Sequence, residues 1–336
     1  MKSDTENGKR LLGLDVGTSR IVLARQEGSG VDCRSQLNEF VAVPYSRMTE
    51  KAMRKQNVPF SRSNGELVVY GTEAQRFATL LNVETRRPMT QGTMNAAEEE
   101  GLAVVRGIVR ALVGDFASGK PRVFFSIPAP PLKGGETLAF HEAALRQMLA
   151  EMGAEPTSIN EGLAVVYAEL EETNYTGIGI SCGGGLCNVC LSWLSMPVIA
   201  FSVPKAGDFI DAGAAAVTGE LATRIRLMKE ESFHFNGHFS GKIQQALAVY
   251  YDDVIQTLVE AIREGLAGGS RIPKQGRPIP VVLSGGTACP AGFAKRFESA
   301  LKSAELPIEI SEVRVAGEPL TATARGALIA AMAEAE

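Results

Sequence analysis

Two stretches of the chain, GLDVGTSRIVLA (13–24) and GISCGGGLCNVCL (179–191), superpose with Asp15 on Ser181 and Gly17 on Gly183. Each is an apolar run, a glycine-containing turn and a second apolar run, which predicts strand, tight turn, strand. An internal repeat of this kind constrains the fold to two related lobes. The length agrees, because 336 residues exceed the roughly 250–300 at which single cores stop growing. With 45% hydrophobic residues the chain has ample material for both cores.

Further elements follow from spacing. Short strands such as ELVVYG (66–71) among polar loops predict an inserted subdomain over about 33–96. Helical spacing covers 98–112. RVFFSIPAP (122–130) is a buried strand ended by Pro128, and Leu138, Leu145, Met148, Leu149 and Met152 form one helical face ending at Gly153. NEGLAVVYAELE predicts a helix before the second glycine hairpin. A long helix carries Ile243, Leu247, Tyr250, Val254, Leu258 and Ile262, with Gly265, Gly268 and Gly269 as its close. PIPVVLSGGTACP (278–290) then reads as strand, glycine turn and helix start, and an Ala-rich helix covers 320–335.

Glycine turns let backbone N–H groups converge without a Cβ in the way, and converging N–H groups bind oxyanions such as phosphate. The bland reading of one such turn is a tight hairpin. Two at equivalent places, plus a third after a buried strand, could hold a polyphosphate from both sides of a cleft. A P-loop would need a helix and a lysine after the glycines, and the first turn has neither. Asp15, at the end of the first strand, is placed to hold hydrated magnesium; its structural alternative is a turn-capping aspartate.

The net charge of −4 comes from mixed acidic and basic residues, so neither a nucleic-acid footprint nor a polybasic membrane patch stands out. MKSDTENGKR lacks the apolar core of a signal peptide and the apolar face of an anchor helix, so a cytoplasmic location without an N-terminal membrane anchor is expected. Five cysteines are expected as free thiols. Cys187 and Cys190 have CxxC spacing, but in a strand they face opposite sides, which is awkward for zinc. His234 and His238, among Phe233, Phe235 and Phe239, read as a packed loop before a metal pair.

The motifs together resemble the actin, sugar-kinase and seventy-kilodalton heat-shock chaperone superfamily, and within it the rod-shape-determining bacterial actins of the MreB type. LDVGTSRIVLA is similar to the first phosphate motif, and GISCGGGLCNVCL stands in place of the second, DIGGGTTEVAV. LNEFVAVPYSR (37–47), GTEAQRF (71–77), RRPMTQGTMN (86–95), FFSIPAP (124–130), INEGLAVVYA (159–168), AGDFID (206–211), GELATRIR (219–226), VVLSGGTACPAGF (281–293) and EPLTATARGA (318–327) resemble the remaining family motifs in order.

The resemblance implies an α/β, two-lobed actin-like fold, each lobe an RNase H-like mixed sheet flanked by helices, with ATP and magnesium in the cleft between. Lobe I would span 1–155, lobe II 156–317, and 318–336 would return to lobe I as a C-terminal helix. Asp15, with magnesium, Gly17, Thr18 and Ser19 would meet the phosphates from one side, and Gly183, Gly184 and Gly185 from the other. Gly207 and Asp208 fall in the AGDFID motif, Ser284, Gly285, Gly286 and Thr287 would lie near the adenosine, and Glu220 and Arg226 match ribose and adenine contacts. Glu161 matches the family's water-positioning glutamate. Two departures matter. Ser181 replaces an Asp that orients magnesium-bound water, while Leu186 and Cys187 replace threonines, so ATP hydrolysis is expected to be weak or absent. Only residues 228–241 occupy the place of a family subdomain that supplies filament contacts, so the usual polymerisation geometry is in question. The implied protein is a cytoskeletal or cell-shape factor that self-associates or joins partner proteins of such an assembly; the other reading is a non-polymerising nucleotide-binding adaptor. No nucleic-acid partner is expected, and a loop-mediated membrane contact stays open.

Overall fold

A computed structural model describes residues 5–6, 9–114, 116, 119–134, 138–235, 237–268 and 277–335. In chain order the first lobe contains β1 (Thr5–Glu6), β2 (Lys9–Val16), β3 (Arg20–Glu27), β4 (Gly30–Leu37), β5 (Phe40–Pro44), α1 (Arg47–Lys55), β6 (Phe60–Ser63), β7 (Glu66–Tyr70), α2 (Thr72–Leu81), β8 (Met89–Thr90), β9 (Thr93–Met94), α3 (Gly101–Val113), β10 (Arg122–Ile127), α4 (Ala139–Glu151) and β11 (Glu155–Asn160). After α5 (Glu161–Glu169), the second contains β12 (Gly177–Cys182), β13 (Cys187–Trp193), β14 (Met196–Val203), α6 (Gly207–Thr218), α7 (Ala222–Ser232), α8 (Lys242–Gly268), β15 (Ile279–Ser284), α9 (Phe293–Ser303) and β16 (Ile310–Val315), and the last helix is α10 (Ala322–Ala333). Of the sequence-based expectations, those on Met1–Asp4, Glu136–Thr137, Asn236 and Gly269 lie outside the described residues.

The repeat is visible as topology. One sheet runs β4-β3-β2-β10-β11 and the other β14-β13-β12-β15-β16. In each, a hairpin and a third strand pair antiparallel, and two further strands join the first parallel to it. Helices α10 and α5 pack on each other between the sheets, α10 against β2, β3 and β10, and α5 against β12 and β13. Small residues make these layers fit. A Cβ on Gly13 of β2 would lie 2.1 Å from the Ala324 carbonyl oxygen, one on Gly326 of α10 would lie 1.7 Å from that of Ala164, and one on Gly179 of β12 would lie 2.3 Å from that of Gly162.

The added unit of the first lobe is a small sheet, β5-β7-β6, closed by α1 and α2 over Val41, Met53, Leu67 and Val69. Its start differs from the expected Cys33. Cys33 is in β4 and pairs with Ala24, so the first sheet continues to Leu37 before the insertion begins. On α8 the fully buried tyrosine is Tyr251, whereas Tyr250 packs on Phe209 and over Gly213 of α6. Gly265 lies inside that helix against the Phe201 ring instead of closing it. The short segment before α8 packs through aromatic contacts, with Phe233 stacked on Tyr251 at 5.2 Å and Phe235 beside Phe293. Cys187 and Cys190 face different cores on the two sides of their sheet. Among the described residues no helix is long and apolar enough to cross a membrane.

His141 is a buried residue that the α4 stripe did not foretell. Burial pushes its pKa down to about 4, against the opposing pull of Glu142. The folded state therefore favours neutral imidazole. Its stabilising contribution is complete above the unfolded value near 6.5 and falls as pH drops through the window from 6.5 to 4, because there the unfolded chain binds the proton more strongly. His141→Leu should remove about 2 kcal/mol of that acid sensitivity, read as a smaller difference between denaturation midpoints at pH 7 and pH 4.5.

Candidate functional site

The two glycine hairpins meet. In the first, Gly17 N–H donates to the Arg20 carbonyl at 3.0 Å, and in the second Gly183 N–H donates to that of Leu186 at 2.9 Å, so both close in the same register. Their tips, Thr18–Ser19 and Gly184–Gly185, face each other. A Cβ on Gly184 would lie 2.1 Å from Ser19 Oγ, and one on Gly185 would lie 2.5 Å from Thr18 Oγ1 and 2.6 Å from the Gly92 amide. Only glycine fits. Among the described residues the tip amides of Thr18, Ser19, Gly184 and Gly185 make no backbone hydrogen bond, which leaves them as donors. The cleft beside them is narrow, enclosing about 110 Å³, less than the roughly 300–1,000 Å³ usual for small-molecule sites.

Acidic residues lie at its floor. Asp15 ends β2 and accepts a 2.6 Å hydrogen bond from Ser126 of β10, whose Oγ accepts from Val16 N–H. Burial pushes the Asp15 carboxyl up to about 6, partly offset by that hydrogen bond. Glu161 is the first residue of α5, a helix capped by the Asn160 side chain accepting from Leu163 N–H. Burial, and then the negative charge of Asp15, push Glu161 up to about 8, opposed by hydrogen bonds to one of its oxygens from Ser181 at 3.0 Å and Asn188 at 2.9 Å. Ser181 thus holds Glu161 in place. Asn188, opposite Ser181 in the β12–β13 ladder, also accepts from the Ala129 amide of the first lobe at 2.8 Å.

The amides of Gly207 and Asp208 at the start of α6 donate to the Gly183 and Gly184 carbonyls at 3.1 and 2.8 Å, so they brace the second loop. Thr287 Oγ1 donates to the Gly183 carbonyl at 2.7 Å. Gly285, with φ of 87°, and Gly286 complete that wall, while Lys229 donates to the Gly207 carbonyl at 3.2 Å and lies 2.7 Å from Asp211. Asp15, Gly17, Thr18, Ser19, Glu161, Gly183, Gly184, Gly185, Gly207, Asp208, Arg226, Gly285, Gly286 and Thr287 all line the cleft. Two expected residues do not. Ser284 is buried at the end of β15 with its hydroxyl donating to the Pro319 carbonyl, and Glu220 pairs with Arg224 one turn on.

Sequence reasoning missed Ser126, Asn188, Lys229, Arg20 and Arg87. Asn188 had a usable signal, since it pairs across the hairpin with Ser181 and shares its orientation.

The chain matches solved structures along nearly its whole length. One is a MamK double-helical filament, with TM-score 0.74, 17% identity, and coverage of 96% of this chain and 98% of that one. Another is a non-polymerising MamK mutant bound to AMPPNP, with TM-score 0.60, 19% identity, and coverage of 96% and 99%. A third is the ethanolamine utilization protein EutJ from Carboxydothermus hydrogenoformans, with TM-score 0.57, 19% identity, and coverage of 95% and 89%. No curated protein sequence matches significantly. At these identities the structural likenesses show the fold, a two-lobed actin-like one. The sequence profile that matches residues 11–331 carries the description volactin, and the chain belongs to the volactin family.

Proposed function

We propose that the chain is an actin-like nucleotide-binding protein that takes ATP with magnesium between its lobes, hydrolyses it slowly or not at all, and self-associates in the cytoplasm. The observation that carries the proposal is the pair of equivalent hairpins whose facing tips, Thr18–Ser19 and Gly184–Gly185, line one cleft with amides that make no backbone hydrogen bond. One structural neighbour is bound to AMPPNP and another is a filament, which supports nucleotide and self-association as the first things to test.

The residues fit the implied ligand. Four tip amides suit phosphate oxygens, and Asp15 beside Glu161 forms an acidic floor that favours a divalent cation. Bound magnesium would neutralise phosphate charge, with Asp15 as its protein carboxylate. Glu161, fixed by Ser181 and Asn188, would align a water for attack. Ser181 itself is neutral and serves as a donor, so nothing on β12 can orient metal-bound water as a carboxylate does. Binding thus outlasts turnover. A titration with a fluorescent ATP analogue and magnesium, with phosphate release followed in the same samples, should give saturable binding and little release. Absence of saturable binding would reduce the glycine loops to a packing device. Pelleting that depends on protein concentration and ATP separates self-association from the adaptor reading.

Ser181→Asp should raise phosphate release on the order of 10²-fold if the missing carboxylate limits turnover. The readout is single-turnover hydrolysis in a variant shown to bind ATP. An unchanged rate would place the defect elsewhere, with Leu186 the next position to replace.

A further inference from the structure

We propose that a buried charge clasp centred on Glu39 holds the lobes shut over the glycine tips, so that nucleotide enters and leaves only when the clasp opens. The proposal rests on reading the cleft as a nucleotide site. Glu39 lies between β4 and β5, at the root of the inserted sheet, and is 0% exposed. Its carboxylate pairs with Arg226 of α7, in the second lobe, and lies 3.5 Å from Arg87 Nε of the first. Arg87 reaches across the cleft in its turn, with Nη1 2.6 Å from Asp208 Oδ1. The other Glu39 oxygen accepts from Thr85 Oγ1 at 2.9 Å and Gln75 Nε2 at 3.4 Å, which fixes the carboxylate to the inserted unit. Two lobe-to-lobe contacts therefore share one chain of charges, Arg226–Glu39–Arg87–Asp208.

The chain of charges is tied to the ligand loops. Asp208 N–H holds the Gly184 carbonyl, and both Asp208 and Arg226 line the cleft. The lobes are already closed to contact at the tips, where Leu186 Cδ1 lies 2.4 Å from the place a Cβ on Gly92 would take. A polyphosphate can pass between these tips only if the lobes part. Parting them would break the Glu39–Arg226 and Arg87–Asp208 pairs together, taking from Arg226, buried in the closed state, its carboxylate partner. The exposed Arg20–Glu230 pair at the mouth, at 3.6 Å, adds little to this barrier.

The test compares wild type with Glu39→Gln, which keeps the shape and the Thr85 contact, and with Arg87→Gln, which cuts the Asp208 arm at a partly exposed side chain. In nucleotide-free protein, amide hydrogen exchange at Gly92, whose N–H donates to Thr18 Oγ1 in a buried contact beneath the second-lobe tip, should rise at least about tenfold in both variants, equivalent to about 1.4 kcal/mol less resistance to opening. The fluorescent ATP analogue should dissociate faster by a similar factor. If Glu39→Gln fails to fold, Arg87→Gln decides alone. Gly92 exchange at the wild-type rate in the folded variants overturns the clasp. Should wild type bind no nucleotide, the reading of the cleft fails by that result, and the exchange comparison still judges whether the clasp holds the lobes.

Discussion

Gly326→Ala is expected to destabilise the protein by about 3 kcal/mol, lowering the thermal midpoint by about 6 °C or more. The added methyl would sit 1.7 Å from the Ala164 carbonyl oxygen and 2.5 Å from its carbonyl carbon. Both are backbone atoms of α5, so no side-chain rotation relieves the overlap. Helix α10 has no free direction of retreat, since its other side meets β2, where Ala324 O and Leu328 N crowd Gly13. The lower end of the usual overpacking range applies where a flexible neighbour yields, and here the neighbours are main chain. Gly268→Ala is the control, because a Cβ there has nothing within 4 Å. Equal midpoints for the two variants would mean that α5 and α10 can separate at little cost.

Gly185→Ala is expected to weaken binding of the ATP analogue at least about 100-fold, or about 2.7 kcal/mol. Its methyl would lie 2.5 Å from Thr18 Oγ1 and 2.6 Å from the Gly92 amide nitrogen, filling the place where the two tips converge. The hairpin itself should survive, because its closing Gly183–Leu186 hydrogen bond and the Thr287 contact do not involve this Cβ. Titration together with a thermal melt distinguishes lost binding from lost fold. Affinity within about threefold of wild type would show that no phosphate lies between the tips.

The fold was legible where local pattern and tertiary role coincide. Apolar alternation flanking Gly17 and Gly183 gave both hairpins, and their internal likeness extends to two sheets with the same strand order. Strand β4 was missed as part of the first sheet because GVDCRSQL is half exposed on both faces and shows no clean alternation. Tyr250 was favoured over Tyr251 because neighbours on a helix differ by about 100°, so one added contact from α6 is enough to move the buried stripe. In the site, glycines announced themselves by spacing. The clasp did not, since the four residues are far apart in sequence: Glu39 and Arg87 each read as a surface charge, and Asp208 and Arg226 were expected as ligand contacts without any link to Glu39. Lys229 was hidden in the same way, within the charged run TRIRLMKEES, although the fold buries it beneath α6.

Helix α5 joins the cleft to a distant edge. Its first residue, Glu161, is held by the second glycine hairpin, and its last, Glu169, is ion-paired with Arg314 of β16 at 2.6 Å and accepts from the Gly317 amide. Nine residues at 1.5 Å each make a rod of about 13 Å. Displacing Glu161 by an ångström would therefore reach the outermost strand of the second sheet as a shift of comparable size. A neighbouring molecule seated on that strand would read the state of the cleft as a change in the position of an edge.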